Sequence, residues 1–177
     1  MECRLSQAEI LQFGVLNNMK KYFENDINYK RFDGVINSWI GTPYKHLTVV
    51  KGRGADCALF ICGILKDIGI INKIVFDYYP HDWFIHTDKD YVSDGFIDHI
   101  KNYAKSNIEL EKYTPEVKLY RGDILGIAIN SKVINHAAYY MEGNFLIHSL
   151  DRVGVHKVTT PEFFKERIVN IFRLMEK

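Results

Sequence analysis

Apolar positions recur along this chain with two different periods. After Cys57 they fall at Phe60, Ile61, Ile64, Leu65 and Ile68, spacings of three and four that mark one face of a helix. Ala58, Leu59 and Cys62 are apolar too, so this helix is expected to be buried on most sides, and Gly69 offers it a stop. Ser6-Gln7-Ala8-Glu9 has the form of a capping box and predicts a helix over about 7–24. Further helices are predicted over about 28–39, closed by Gly41 and Pro43, and over about 92–104. Beyond Gly122 the period becomes two. Short β-prone runs occupy 123–129, 135–141, 144–149, 154–158 and 168–174, divided by turns such as Glu142-Gly143-Asn144 and Asp151-Arg152-Val153-Gly154. Helices first and strands afterwards predict an α+β domain, with an antiparallel sheet packed on the Cys57 helix. Between the two halves, 72–120 is aromatic and irregular apart from its one helix, and contains Tyr78-Tyr79-Pro80-His81-Asp82-Trp83-Phe84.

Composition narrows the classes. The 177 residues suit one domain with a substantial core, and 47% hydrophobic with 14% aromatic content excludes general disorder. With 23 basic against 22 acidic residues there is no electrostatic case for nucleic acid or an anionic membrane as partner. The start, Met1-Glu2-Cys3-Arg4-Leu5-Ser6-Gln7, lacks the basic-then-apolar pattern of a secretory signal, and no apolar run approaches the roughly 20 residues of a membrane span. The expected location is therefore cytoplasmic, or outside by a route the sequence does not display. Cys3, Cys57 and Cys62 are an odd set without CxxC spacing, which indicates neither a disulfide framework nor a structural zinc site. No cofactor is expected.

The chemistry concentrates around Cys57. It opens the apolar helix, directly after Asp56 and the glycine-rich loop Gly52-Arg53-Gly54. A thiol at a helix N-terminus feels the positive end of the macrodipole, so a lowered pKa and a thiolate are expected. The commoner fate of a cysteine in an apolar helix is that of a small buried hydrophobe, the reading retained for Cys62. Cys3, near the chain end, is given no role. His136 and His148 lie twelve residues apart on consecutive predicted strands; an even spacing about a hairpin turn puts both imidazoles on one face. One can then serve as base for the thiol while the other orients it. Two alternatives stand beside this: ordinary half-buried histidines satisfied by backbone, or zinc held by Cys57, His136 and His148, for which no paired ligand motif speaks. Lys45 and His46, just after Tyr44, are expected either to line the substrate cleft or to form an exposed loop pair. His81, His86 and His99 are expected at the surface or satisfied locally, and Trp83, Tyr78 and Tyr79 either cap the cleft or fill core. Asp123 is expected to fix a turn.

Trp39-Ile40-Gly41-Thr42-Pro43-Tyr44, Asp56-Cys57, Tyr120-Arg121-Gly122-Asp123-Ile124-Leu125, His136 and Phe145-Leu146-Ile147-His148-Ser149 follow in an order that resembles the NlpC-type cell-wall cysteine peptidases. Within them they resemble the phage and prophage tail-associated branch, over about residues 31–174. The resemblance implies a papain-like domain over 31–177, preceded by a helical extension over 1–30. It implies Cys57 as nucleophile, His136 as general base and acid, and His148 as the residue orienting His136. Tyr44 corresponds to a tyrosine that polarises the scissile carbonyl, and Asp56 to an aspartate that receives the free amine of a stem peptide. Two departures are visible. Ala58-Leu59 replaces the family's Ser-Gly after the cysteine, and Asn135-His136-Ala137-Ala138 stands where many members have His-Val-Gly. The implied activity is cleavage of a γ-D-glutamyl–diamino acid bond in peptidoglycan, with the stem peptide and phage tail proteins as partners and the virion or cell wall as destination. The alternatives are a papain-like acyltransferase or thioesterase acting on lipids, and a tail-assembly module without turnover.

Overall fold

The computed structural model describes residues 20–88 and 91–176. Among them are the α-helices α1 (Asp26–Asn37), α2 (Cys57–Asp67), α3 (Tyr91–Tyr103) and α4 (Glu162–Lys165). A small hairpin joins β1 (Val49–Val50) to β2 (Gly54–Ala55). The main sheet comprises β3 (Asn107–Lys112), β4 (Ile124–Ile127), β5 (His136–Met141), β6 (Phe145–Leu150), β7 (Gly154–Thr159) and β8 (Ile168–Met175). Its order is β3-β8-β4-β5-β6-β7 and every pair is antiparallel. The predicted α+β architecture is thus present.

Local chemistry accounts for where the elements start. Asn25 caps α1 by accepting from the N–H of Ile27 (2.9 Å) and Asn28 (3.3 Å), so this helix begins two residues before the predicted 28. Tyr29, Phe32 and Ile36 then share the face it buries. The helix predicted over 7–24 lies, up to residue 19, outside the described residues; its last part is not α-helical, because Tyr22–Glu24 form a 3-10 turn that buries Phe23. β1, β2, α4 and the edge strand β3 were not anticipated.

One side of the main sheet carries α1 and α2. There Phe32, Phe60, Ile61, Ile64, Tyr139 and Ile147 form the larger core. The Tyr139 hydroxyl donates to the Ile61 carbonyl (3.1 Å), which fixes α2 against β5. A second core, of Leu125, Ile127, Ala138, Leu146, Phe164, Ile168 and Ile171, covers another part of the sheet. Residues 41–44 are laced to β7: Gly41 N–H donates to Val155 O and Val155 N–H to Thr42 O, both at 2.8 Å. Gly154 makes this possible. Its φ of +82° suits glycine, and a Cβ there would overlap the Thr42 carbonyl. Tyr44 is thereby held beside the start of α2.

Candidate active site

Asp56 is the N-cap of α2. Its Oδ1 accepts from the Leu59 N–H (2.8 Å), while Oδ2 accepts from the Leu47 N–H (2.9 Å) and the Tyr79 hydroxyl (2.7 Å). At 2% exposure the carboxylate is fully engaged by the protein itself. Cys57, the first residue of the helix, places its sulfur 3.9 Å from the Asn135 carbonyl oxygen, and the Ala137 N–H also points to it. The sulfur is therefore flanked by the residues on either side of His136. The β5–β6 ladder explains how it gets there. Paired residues run from Met141–Phe145 to Tyr139–Ile147 and stop, so before Tyr139 the edge of β5 that faced β6 is open to the helix end, while its other edge stays paired with β4 through His136.

His136 and His148 come together as the spacing predicted. His136 Nε2 lies 2.7 Å from His148 Nδ1. A third imidazole, His156, pairs with His148 across the β6–β7 ladder, with Nε2 to Nε2 at 3.1 Å. Phe164 of α4 closes over the group, stacked on His136 (centroids 5.7 Å) and edge-on to His148 (5.2 Å). Neither His156 nor Phe164 was singled out in the sequence. His156 was findable: it lies eight residues after His148 across a turn ending in glycine, an even spacing that returns it to the same face.

Burial governs the protonation of these groups. It pushes His136 down to about 3, helped by His148 and His156, and His148 down to about 4, helped by His156. It pushes the Cys57 thiol up to about 12, and the Asp56 carboxylate beside it acts in the same direction. The thiolate expected from the helix dipole is thus not the resting species, because desolvation and the neighbouring anion outweigh the dipole. The site rests as a neutral thiol with His136 and His148 neutral. Burial also raises Cys62 to about 12, so the two thiols differ in their neighbours rather than in acidity: only Cys57 meets the backbone on either side of His136.

Tyr44 is half-buried, and its hydroxyl is held well above its ordinary value by burial and then by Cys57 and Asp56. It remains a neutral donor beside the thiol. His46 donates from Nε2 to the Tyr79 carbonyl (2.8 Å), with Nδ1 4.0 Å from Asp56 Oδ2, and Lys45 is exposed. Within the middle segment, Tyr79 and His81 reach the cleft. His81 packs edge-on against Tyr44 (6.4 Å) and His46 (5.3 Å). Tyr78 is 80% exposed and Trp83 packs on Phe84. His99 is buried at 9% exposure, with Nε2 donating to Lys73 O, and His86 pairs with Asp82 at the surface. Asp123 does fix a turn, accepting from the Tyr120 N–H at 2.8 Å, and it also meets Arg173. Among the described residues no group of three or more His, Cys, Asp or Glu side chains could hold a metal ion. His136 and His148 turn to each other instead.

The buried histidines also set an acid limit on stability. Both have folded pKa values below the ordinary 6.5, so the unfolded chain binds more protons as pH falls beneath 6.5. Their contribution is complete above 6.5 and is lost as pH descends toward 4 and then 3. Between pH 7 and 5.5 the unfolding free energy should drop by roughly 2–3 kcal/mol. Urea denaturation at the two pH values measures it, with His148→Gln as the variant that flattens the slope. A flat wild-type profile would contradict the buried, neutral assignment.

No protein-family model and no curated protein matches the sequence. Solved structures do match the fold. One is described as similar to lipoprotein, NLP/P60 family, from Staphylococcus aureus subsp. aureus Mu50: TM-score 0.56, 13% identity, covering 90% of this chain and 45% of that one. The fold is that of the NlpC/P60 proteins. A hypothetical invasion protein of Mycobacterium tuberculosis superposes with a TM-score of 0.50 at 14% identity, over 89% of this chain and 67% of that one. This chain spans less than half of the staphylococcal protein's length. Among the described residues no helix is long and apolar enough to cross a membrane.

Proposed function

We propose that this protein is a cysteine hydrolase that cleaves an amide bond in peptidoglycan stem peptides, the γ-D-glutamyl–diamino acid bond in particular. The observation that carries the reading is the Cys57 sulfur at the head of α2, flanked by the backbone on either side of His136, whose ring is hydrogen-bonded to His148. In this mechanism Cys57 attacks the scissile carbonyl while His136 takes the thiol proton. The Cys57 N–H and the Tyr44 hydroxyl receive the developing oxyanion, and His136 passes its proton to the departing amine. Water, deprotonated by the same ring, then releases the thioester and restores the thiol. His148 holds His136 in place throughout.

Asp56 enters differently from the resemblance's implication. Its two oxygens already serve Leu59, Leu47 and Tyr79, so an ammonium group of the stem reaches Oδ2 only by displacing the Tyr79 hydroxyl. Origin in a phage or prophage, with tail proteins as partners and delivery to the wall from a particle or by lysis, rests on the sequence resemblance alone.

The test is to incubate the purified protein with free tri- and tetrapeptide stems and with intact sacculi, and to read the products by mass spectrometry. Release of a diaminopimelate- or lysine-containing fragment is expected. Inertness on every wall substrate together with hydrolysis of a fatty-acyl thioester or ester would replace this reading with lipid acyl chemistry.

A further inference from the structure

A chain of imidazoles has a direction, and here the last link sets it. His156 Nδ1 lies 3.1 Å from the Gly154 carbonyl oxygen. A carbonyl can only accept, so Nδ1 carries a proton, and wherever the ring holds just that one proton Nε2 is an acceptor. His148 Nε2, 3.1 Å away, must then donate, which leaves its Nδ1 unprotonated. His136 Nε2, 2.7 Å from that nitrogen, must donate in turn. What remains is the lone pair on His136 Nδ1, the one ring nitrogen not consumed by the chain. Were the direction reversed, Nδ1 of His136 would carry a proton and could not take one from a thiol.

The anchor of this chain is fixed by the fold. Gly154 is pressed on Thr42 with φ +82°, and Val155 next to it is hydrogen-bonded through both its N–H and its C=O to residues 41 and 42. The carbonyl that His156 meets therefore cannot turn away without unlacing β7 from the Tyr44 loop. His156 stands directly opposite His148 in the β6–β7 register and is partly exposed.

We propose that His156 is a positioning residue, which selects the tautomers of His148 and His136 by accepting the His148 Nε2–H, and so leaves His136 Nδ1 free to act as base. The catalytic consequence rests on the function proposed above; the proton arrangement does not.

The experiment reads both. Long-range proton–nitrogen correlation spectra of 15N-labelled protein near neutral pH assign the tautomer of each ring. Nε2–H is expected for His136 and His148, and Nδ1–H for His156. In His156→Gln the amide oxygen can accept from His148 while the amide NH₂ donates to Gly154, so the pattern should persist and kcat should stay within about threefold of wild type. In His156→Ala the two remaining rings should lose the single pattern, and kcat on a stem-peptide substrate should fall about 10–100-fold with KM unchanged. Unaltered tautomers in His156→Ala, a different pattern in the wild-type protein, or equal losses in the Gln and Ala variants would each overturn the proposal. A protein inert on wall substrates that still shows the expected proton pattern would remove the proposed function and leave the positioning role standing.

Discussion

Replacing His136 by alanine should lower turnover of a stem-peptide substrate by about 10⁴-fold or more, with the fold retained. The size follows from the resting protonation. A thiol at about 12 is ionised in roughly one molecule in 10⁵ at pH 7, so Cys57 is a poor nucleophile without a base to take its proton during attack. His136, held near 3, is unprotonated across the physiological range and so has a lone pair open to the thiol proton, but the same burial makes it a weak base, which ties the transfer to the moment of attack. Removing it leaves a half-buried neutral thiol with a carbonyl and an amide for company. Cys57→Ala should lose as much, and the double variant little more, since members of one catalytic unit do not contribute additively. His148→Ala should cost less, about 10–100-fold, because water or His156 can partly replace an orienting group. Steady-state kinetics on the purified variants decides the matter. A His136→Ala protein retaining a tenth of wild-type activity would end the dyad, as would losses in the double variant that simply multiply.

How much of this was legible in the sequence depends on how local each signal is. The start of α2 was readable because its cap, Asp56, and its apolar face lie within one short stretch of chain. The His136–His148 pair was readable because a hairpin makes a two-residue period into a shared face. The edge strand β3 was not, since Asn107-Ile108-Glu109-Leu110-Glu111-Lys112 alternates apolar residues with charges that take their meaning only from β8 beside them. The same holds for Tyr79, whose hydroxyl meets a carboxylate 23 positions away, and for Phe164, which reaches the histidines from a four-residue helix after the last turn of the hairpins. The acidity of Cys57 was misjudged for a related reason. The dipole is a property of the helix and visible in sequence, whereas the desolvation that outweighs it comes from the strands packed against the thiol.

Arg173→Met should be the most damaging single change to stability away from the site, costing about 3–5 kcal/mol and roughly 6–20 °C in melting temperature. Arg173 is 7% exposed and Asp123 1%. The guanidinium donates from Nε to Asp123 Oδ1 and from a terminal nitrogen to Oδ2, both at 2.8 Å, and from its other terminal nitrogen to Glu111 Oε2 at 2.9 Å. Burial raises the Asp123 pKa in spite of this fork, so desolvation of the carboxylate exceeds what its partner returns. The intact pair is therefore close to break-even against an apolar replacement, while half of it is a liability. Methionine keeps the stem's volume on β8 but strands a carboxylate that also holds the Tyr120 turn. Asp123→Leu combined with Arg173→Met should accordingly be more stable than Arg173→Met alone. The pH dependence separates this account from mere loss of packing. With its raised pKa, the stranded Asp123 binds a proton more readily folded than unfolded, so the deficit relative to wild type should shrink as pH falls. Guanidinium denaturation at several pH values measures it, and a pH-independent deficit under 1 kcal/mol would refute the buried pair as an anchor of β8.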